Sequence, residues 1–110
     1  MTTTECCVVM ITTPDEALAA RIADMLIAKR LGACVQVTRV DSTYRWSSEV
    51  HHEEEVLMLV KTRTALLAEI AEQVREVHVY DAPEIVALPI IGGSSDYLNW
   101  VDAETRPVYR

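Results

Sequence analysis

The segment from Ala33 to Trp46 limits what this chain can fold into more than any other. Ala33, Val35 and Val37 alternate with Cys34, Gln36 and Thr38, and Thr43, Tyr44 and Trp46 keep the β-branched and aromatic character of a strand. At roughly 3.3 Å per residue, such a strand spans about 46 Å. A compact domain of about 100 residues has a radius of gyration near 13 Å, hence a diameter of only about 34 Å. The strand must therefore fold back sharply on its own sheet or overhang the domain. An overhanging ribbon that carries Val, Tyr and Trp leaves apolar surface and unpaired edges in water. A second copy of the chain covering that ribbon is the economical solution, so the sequence predicts a homo-oligomer.

The remaining segments alternate cleanly. Glu5 to Thr12 is a short, nearly continuous apolar run rich in β-branched residues, which favours a buried strand. Thr13-Pro14-Asp15-Glu16 then reads as a helix start, with Thr13 as cap, Pro14 in the first helical position and Glu16 closing a capping box. That helix is expected over 14–31, with Leu18, Ile22, Met25, Leu26 and Leu31 on its apolar face and Gly32 as its left-handed stop. Ser47, Ser48 and Glu49 break the long strand, and Glu53 to Thr62 returns as the second strand of a hairpin, too apolar in Val56–Val60 for a wet face. A second amphipathic helix is expected from about Thr64 to Val77. Pro83 to Ile91 reads as a strand that Pro89 confines to an edge or a bulge. After Gly92 and Gly93, Ser94 caps a short helix carrying Tyr97, Leu98, Trp100 and Val101. The order β-α-β-β-α-β, with right-handed crossovers, predicts an α+β fold: a ferredoxin-like sandwich with an extended hairpin and a short C-terminal helix.

Composition narrows the function. The 110 residues make a single domain over 1–110, and only seven are Gly or Pro, which excludes disordered and low-complexity classes. Seventeen acidic against ten basic residues give a net charge of −7, so nucleic acid would be repelled. No apolar run approaches the length of a membrane span. Thr2, Thr3, Thr4 and Glu5 do not open a secretory signal, and three Cys do not make a disulfide framework. A cytoplasmic protein is the expectation.

Several stretches carry a resemblance that covers roughly Cys7 to Val101. They are Ala20–Val35 (ARIADMLIAKRLGACV), Tyr44-Arg45-Trp46, Glu55–Thr62 (EVLMLVKT), His78 with Tyr80, Pro83–Ile90 (PEIVALPI) and Tyr97–Val101 (YLNWV). In this order they resemble the CutA family, the divalent-cation tolerance proteins. The resemblance implies a stable homotrimer of ferredoxin-like subunits whose hairpins pair edge to edge. It also implies a link to copper and other divalent ions, with no reaction attributed to it. The architecture is similar to that of the PII signalling trimers, which bind small effectors between subunits. The family's copper site is associated with a Cys at the end of the first strand and a His before the last. The His position maps onto His78, within Val77-His78-Val79-Tyr80 rather than His-Pro-Tyr; the Cys position aligns with about Ile11, which cannot ligate.

The residues themselves offer two places for chemistry. Imidazole suits Cu(II) and Zn(II), so His51, His52 and His78 are the candidate metal ligands. His51 and His52 follow a turn and, with Glu53, Glu54 and Glu55, offer imidazole and carboxylate together; on a regular strand the two neighbouring His point to opposite faces and cannot both chelate one ion. Tyr44, Trp46, Lys61, His78, Tyr80 and Glu84 combine aromatic walls with a few polar groups, the make-up of a small-ligand pocket in an intersubunit cleft; the same groups would also serve as a network that fixes a trimer. Nucleophile-elbow and phosphate-loop patterns are absent, so no enzyme is expected. The readings are thus a non-catalytic trimer that binds divalent cations weakly, a PII-like module for a small effector, or a structural trimer that scaffolds a partner.

Overall fold

Eight residues of β-favouring character open the fold in the computed structural model, which describes residues 5–107. Thr2–Thr4, on which the absence of a leader was argued, lie outside them. The elements run β1 (Cys6–Thr13), α1 (Glu16–Ala28), β2 (Cys34–Trp46), β3 (Glu49–Arg63), α2 (Leu67–Val77), β4 (Ile85–Pro89) and α3 (Ser95–Glu104), with a 3-10 turn (Thr64–Leu66) leading into α2. The strands form one antiparallel sheet in the order β2-β3-β1-β4, the ferredoxin-like arrangement expected from the element order. Pro89 lies on the edge strand β4, opposite Cys7, where its missing N–H costs no central ladder bond. Among the described residues no helix is long and apolar enough to cross a membrane.

Strand parity divides the sheet into two faces. Val9, Ile11, Val56, Met58 and Val60 meet Leu18, Ile22 and Leu26 of α1 and Ile70 and Val74 of α2 in the main core. Each large aliphatic side chain buried there contributes roughly 1.5–3 kcal/mol. The other face carries Val8, Met10, Leu57 and Leu59, all half-buried, beside the exposed Val86 and Leu88. Helix α3 covers only one end of it, where Leu98 and Val101 pack on Cys6. The expectation that Val56–Val60 has no wet face holds for one side of β3 only.

The long strand overhangs. β1 pairs with β3 from Val56 to Arg63, whereas the β2–β3 ladder continues for seven more pairs, from Val40↔Glu55 to Trp46↔Glu49. This two-stranded arm projects about 23 Å at the usual rise, and the molecule measures 44 × 26 × 23 Å. β3 starts at Glu49 rather than Glu53, because Ser47 and Ser48 (φ 51° and 67°) form a two-residue turn that closes the ladder at its tip. Positive φ at both central residues matches the right-handed twist of the strands.

Both ends of α1 differ from expectation. Asp15, not Thr13, is the cap: its carboxylate accepts the Leu18 N–H at 2.8 Å, while Thr13 remains the last residue of β1 and its hydroxyl donates to the Asp15 carbonyl. The helix stops at Ala28, and the left-handed residue is Arg30 (φ 55°), not Gly32. The Arg30 N–H donates to Ile27 O (3.0 Å) and the Leu31 N–H to Leu26 O (2.9 Å), a Schellman closure. Arg30 holds this unfavourable conformation because its guanidinium donates to Ala103 O (2.7 Å) and Glu104 O (3.3 Å), tethering the end of α3. Gly32 serves a different need, since a Cβ there would stand 2.8 Å from Val60 Cγ1.

Gly32→Ala is therefore expected to destabilise the protein by about 1–3 kcal/mol through overpacking, seen as a lower guanidinium midpoint. Arg30→Ala keeps the left-handed strain and loses the tether, whereas Arg30→Gly loses only the tether. Arg30→Ala should unfold at the lower midpoint, by about 1 kcal/mol; equal midpoints would refute the assignment.

Candidate functional site

The parity that buries Val56, Met58 and Val60 on the helix side sends Glu55, Glu53 and His51 to the other face of the arm, beside Tyr44 and Trp46 of β2. Over that face passes the connection from α2 to β4, residues 78–84. His78 fixes its start. Its Nε2 lies 2.7 Å from the Thr12 carbonyl, and its Nδ1 accepts the Tyr80 N–H at 3.1 Å. A carbonyl can only accept and an amide N–H can only donate, so His78 is the neutral tautomer with its proton on Nε2.

Tyr80 is thereby directed onto the arm. Its hydroxyl donates to Glu55 Oε2 at 3.0 Å, and Glu55 is only 8% exposed. Burial, and then the hydrogen bond to the Glu55 carboxylate, push the Tyr80 phenol well above the ordinary tyrosine range, so it stays a protonated donor. Tyr44 stacks on His51 with ring centroids 5.3 Å apart, and its hydrogen bond to Glu53 raises its pKa as well.

Between arm and connection lies a cleft of about 590 Å³. Tyr44, Trp46, Tyr80 and Glu84, four of the six residues named for a cleft between subunits, line this cleft within one subunit, together with Glu55 and Asp81. His78 stands behind the wall, its ring 4.9 Å from that of Tyr80. Lys61 is apart within the subunit: it lies six residues along β3 from Glu55, between Cys34 and Val8, with its ammonium on Gln36 Oε1. The sequence offers Glu55 only in company with Glu53 and Glu54, as carboxylates beside His51 and His52; parity counted back from Val56 is what puts it at the root of the arm.

The metal candidates are dispersed. His51 and His52 lie on opposite faces of the arm, as strand geometry requires, and His52 Nδ1 meets the Thr43 hydroxyl at 3.2 Å. Both ring nitrogens of His78 are engaged within the chain, so an ion could bind there only by breaking one of those bonds. Ile11 is wholly buried in the core. The thiol-plus-imidazole copper site that the resemblance implies does not fit these residues. Cys6 and Cys7 are buried on opposite faces of β1, and burial raises both thiol pKa values, away from thiolate ligation. Among the described residues no group of three or more His, Cys, Asp or Glu is assembled to hold an ion.

The comparisons with known proteins agree with this architecture. The family model described as CutA1 divalent ion tolerance protein matches residues 7–104. The divalent-cation tolerance protein CutA of Thermus thermophilus is 46% identical over 99 residues, which cover 89% of this chain and 96% of that one. The chloroplastic protein CutA of Arabidopsis thaliana is 39% identical over 100 residues, 90% of this chain. The match spans only 55% of that longer relative. Among solved structures, CutA1 from Oryza sativa superposes with a TM-score of 0.92 at 38% identity, covering 97% of this chain and 100% of that one. The solved Thermus thermophilus protein gives 0.89 at 44% identity, covering 92% and 99%. Sequence and fold together place the chain in the CutA1 divalent ion tolerance family.

Proposed function

We propose that this chain is a non-catalytic homotrimer of divalent-metal tolerance that binds Cu(II) weakly on its arms. The observation that carries the oligomer is the sheet face left open by the helices: Val8, Met10, Leu57, Leu59, Val86 and Leu88 form an apolar surface, and on the same side of the arm Trp46 is more than half exposed. Such a surface is unfavourable in water and is readily covered by the same surface of other copies. Three copies is the number that the family resemblance implies.

For metal, the arms offer the remaining imidazoles. On each face a histidine has a carboxylate two residues away on the same side, His51 with Glu53 and His52 with Glu54. Two donors per face hold Cu(II) loosely, in keeping with a protein that buffers ions rather than carrying one. A second reading, favoured by the aromatic cleft of about 590 Å³, is a PII-like module whose small effector sits in an intersubunit cleft that arm and connection help to line.

Light scattering at micromolar concentration should give three times the 12.3 kDa of one chain; a single-chain mass would sink the trimer. Calorimetry with Cu(II) should show submillimolar binding that survives His78→Ala and vanishes when His51 and His52 are both changed to Ala. The binding should weaken as pH falls, because protons compete for the imidazole nitrogens. Copper binding that is lost with His78→Ala and kept in the double variant would refute the arm assignment.

A further inference from the structure

The cleft contains a charge that the chain does not neutralise. Glu55 is a carboxylate nine-tenths buried whose hydrogen-bond partner is the neutral phenol of Tyr80. Among the described residues no Lys, Arg or His forms an ion pair with it. Asp81 and Glu84 add two further carboxylates to the lining, and none of the residues that line the cleft is Lys or Arg. Burying a carboxylate is costly unless a counter-charge comes with it. Tyr44, Trp46 and Tyr80 line the cleft with these acids, the Tyr80 hydroxyl on Glu55 itself. Aromatic faces present negative π density, which attracts a desolvated cation, most strongly at Trp. A hydrated divalent ion gains little from such walls, because it keeps its water or seeks oxygen and nitrogen ligands. A small organic cation matches both features: the charge for Glu55 and the weakly hydrated surface for the rings.

The geometry points to the cleft as a binding site for a small alkylammonium compound, its cationic head at Glu55 and Tyr80 and its alkyl groups against Tyr44 and Trp46. This rests on the reading of the cleft as an effector site.

The test uses the intact oligomer with Trp100→Phe, so that Trp46 is the one remaining tryptophan of the two. Its fluorescence is followed during titration with choline, tetramethylammonium and putrescine, and with 3,3-dimethyl-1-butanol as the uncharged isostere of choline. At least one of the cations should give a saturable change at millimolar concentration or below. The uncharged alcohol should bind at least tenfold more weakly, and Glu55→Gln should weaken the cation at least tenfold. Tyr44→Leu, which leaves the buried carboxylate in place, should weaken it severalfold and serves if Glu55→Gln does not fold. Equal binding of alcohol and choline, or an unchanged affinity in Glu55→Gln, overturns the assignment. A Glu55→Gln variant that changes the oligomer's mass but not its affinity also overturns it, by giving the counter-charge to another copy. A thermal-shift series with anionic and neutral metabolites separates the two levels. Stabilisation by those alone, lost in Tyr44→Leu, leaves the cleft an effector site and removes the cation; no stabilisation by any charge class removes both.

Discussion

The alternation of side chains along β3 is the constraint on which the rest of this structure depends. Val56, Met58 and Val60 must face the helices, because together with Val9 and Ile11 they are the sheet's share of the core. Once those three are fixed, every other residue of the strand is assigned a face. Glu55 falls to the root of the arm, Glu53 and His51 follow on the same side, and the pairing with β2 brings Tyr44 and Trp46 alongside. A slip of one residue would carry Glu55 into the core and Val56 out of it. The packing energy of the domain therefore also holds the arrangement of the cleft, although the arm itself contributes little to the core.

What the strand does not fix, local hydrogen bonding does. The connection after α2 has no ladder to guide it and is held instead through His78, which joins the Thr12 carbonyl on β1 to the Tyr80 amide. That clamp uses the imidazole as a structural element with a defined tautomer, and it sets the phenol that meets Glu55. Arg30 plays a similar part at the other end of the molecule, where it gives up a comfortable backbone conformation to bind the last carbonyls of α3. In both places a side chain with two or more polar groups joins segments far apart in sequence.

The element order, the edge position of the proline strand and the overhang could all be read from the chain, because each rests on a periodicity or on a length. The strand from Ala33 had no room inside a domain of this size, and it overhangs. The misreadings fall where several residues compete for one role. Thr13 and Asp15 are both good caps, and β1 claimed Thr13 for its last pair, with Val56. Gly32 looked like a helix stop because glycine tolerates positive φ, yet its value is the closeness of Val60. Glu53, Glu54 and Glu55 look alike as residues; parity puts the third at the root of the arm, and the docking of Tyr80 gives it a partner. Within one subunit Lys61 lies on another part of the sheet, and both ring nitrogens of His78 are engaged.

The seryl turn at the tip gives the arm a rule for its own evolution. Residues added at Ser47 and Ser48 lengthen the reach without disturbing anything nearer the domain. Residues added between Val40 and Tyr44, with matching ones between His51 and Glu55, rotate the outer arm by half a turn of the pleat each time. Only even increments there, about 7 Å apiece, keep the aromatic side facing the connection. Natural variation in arm length should thus be free at the apex and come in doubled steps at the base, whatever the arm binds.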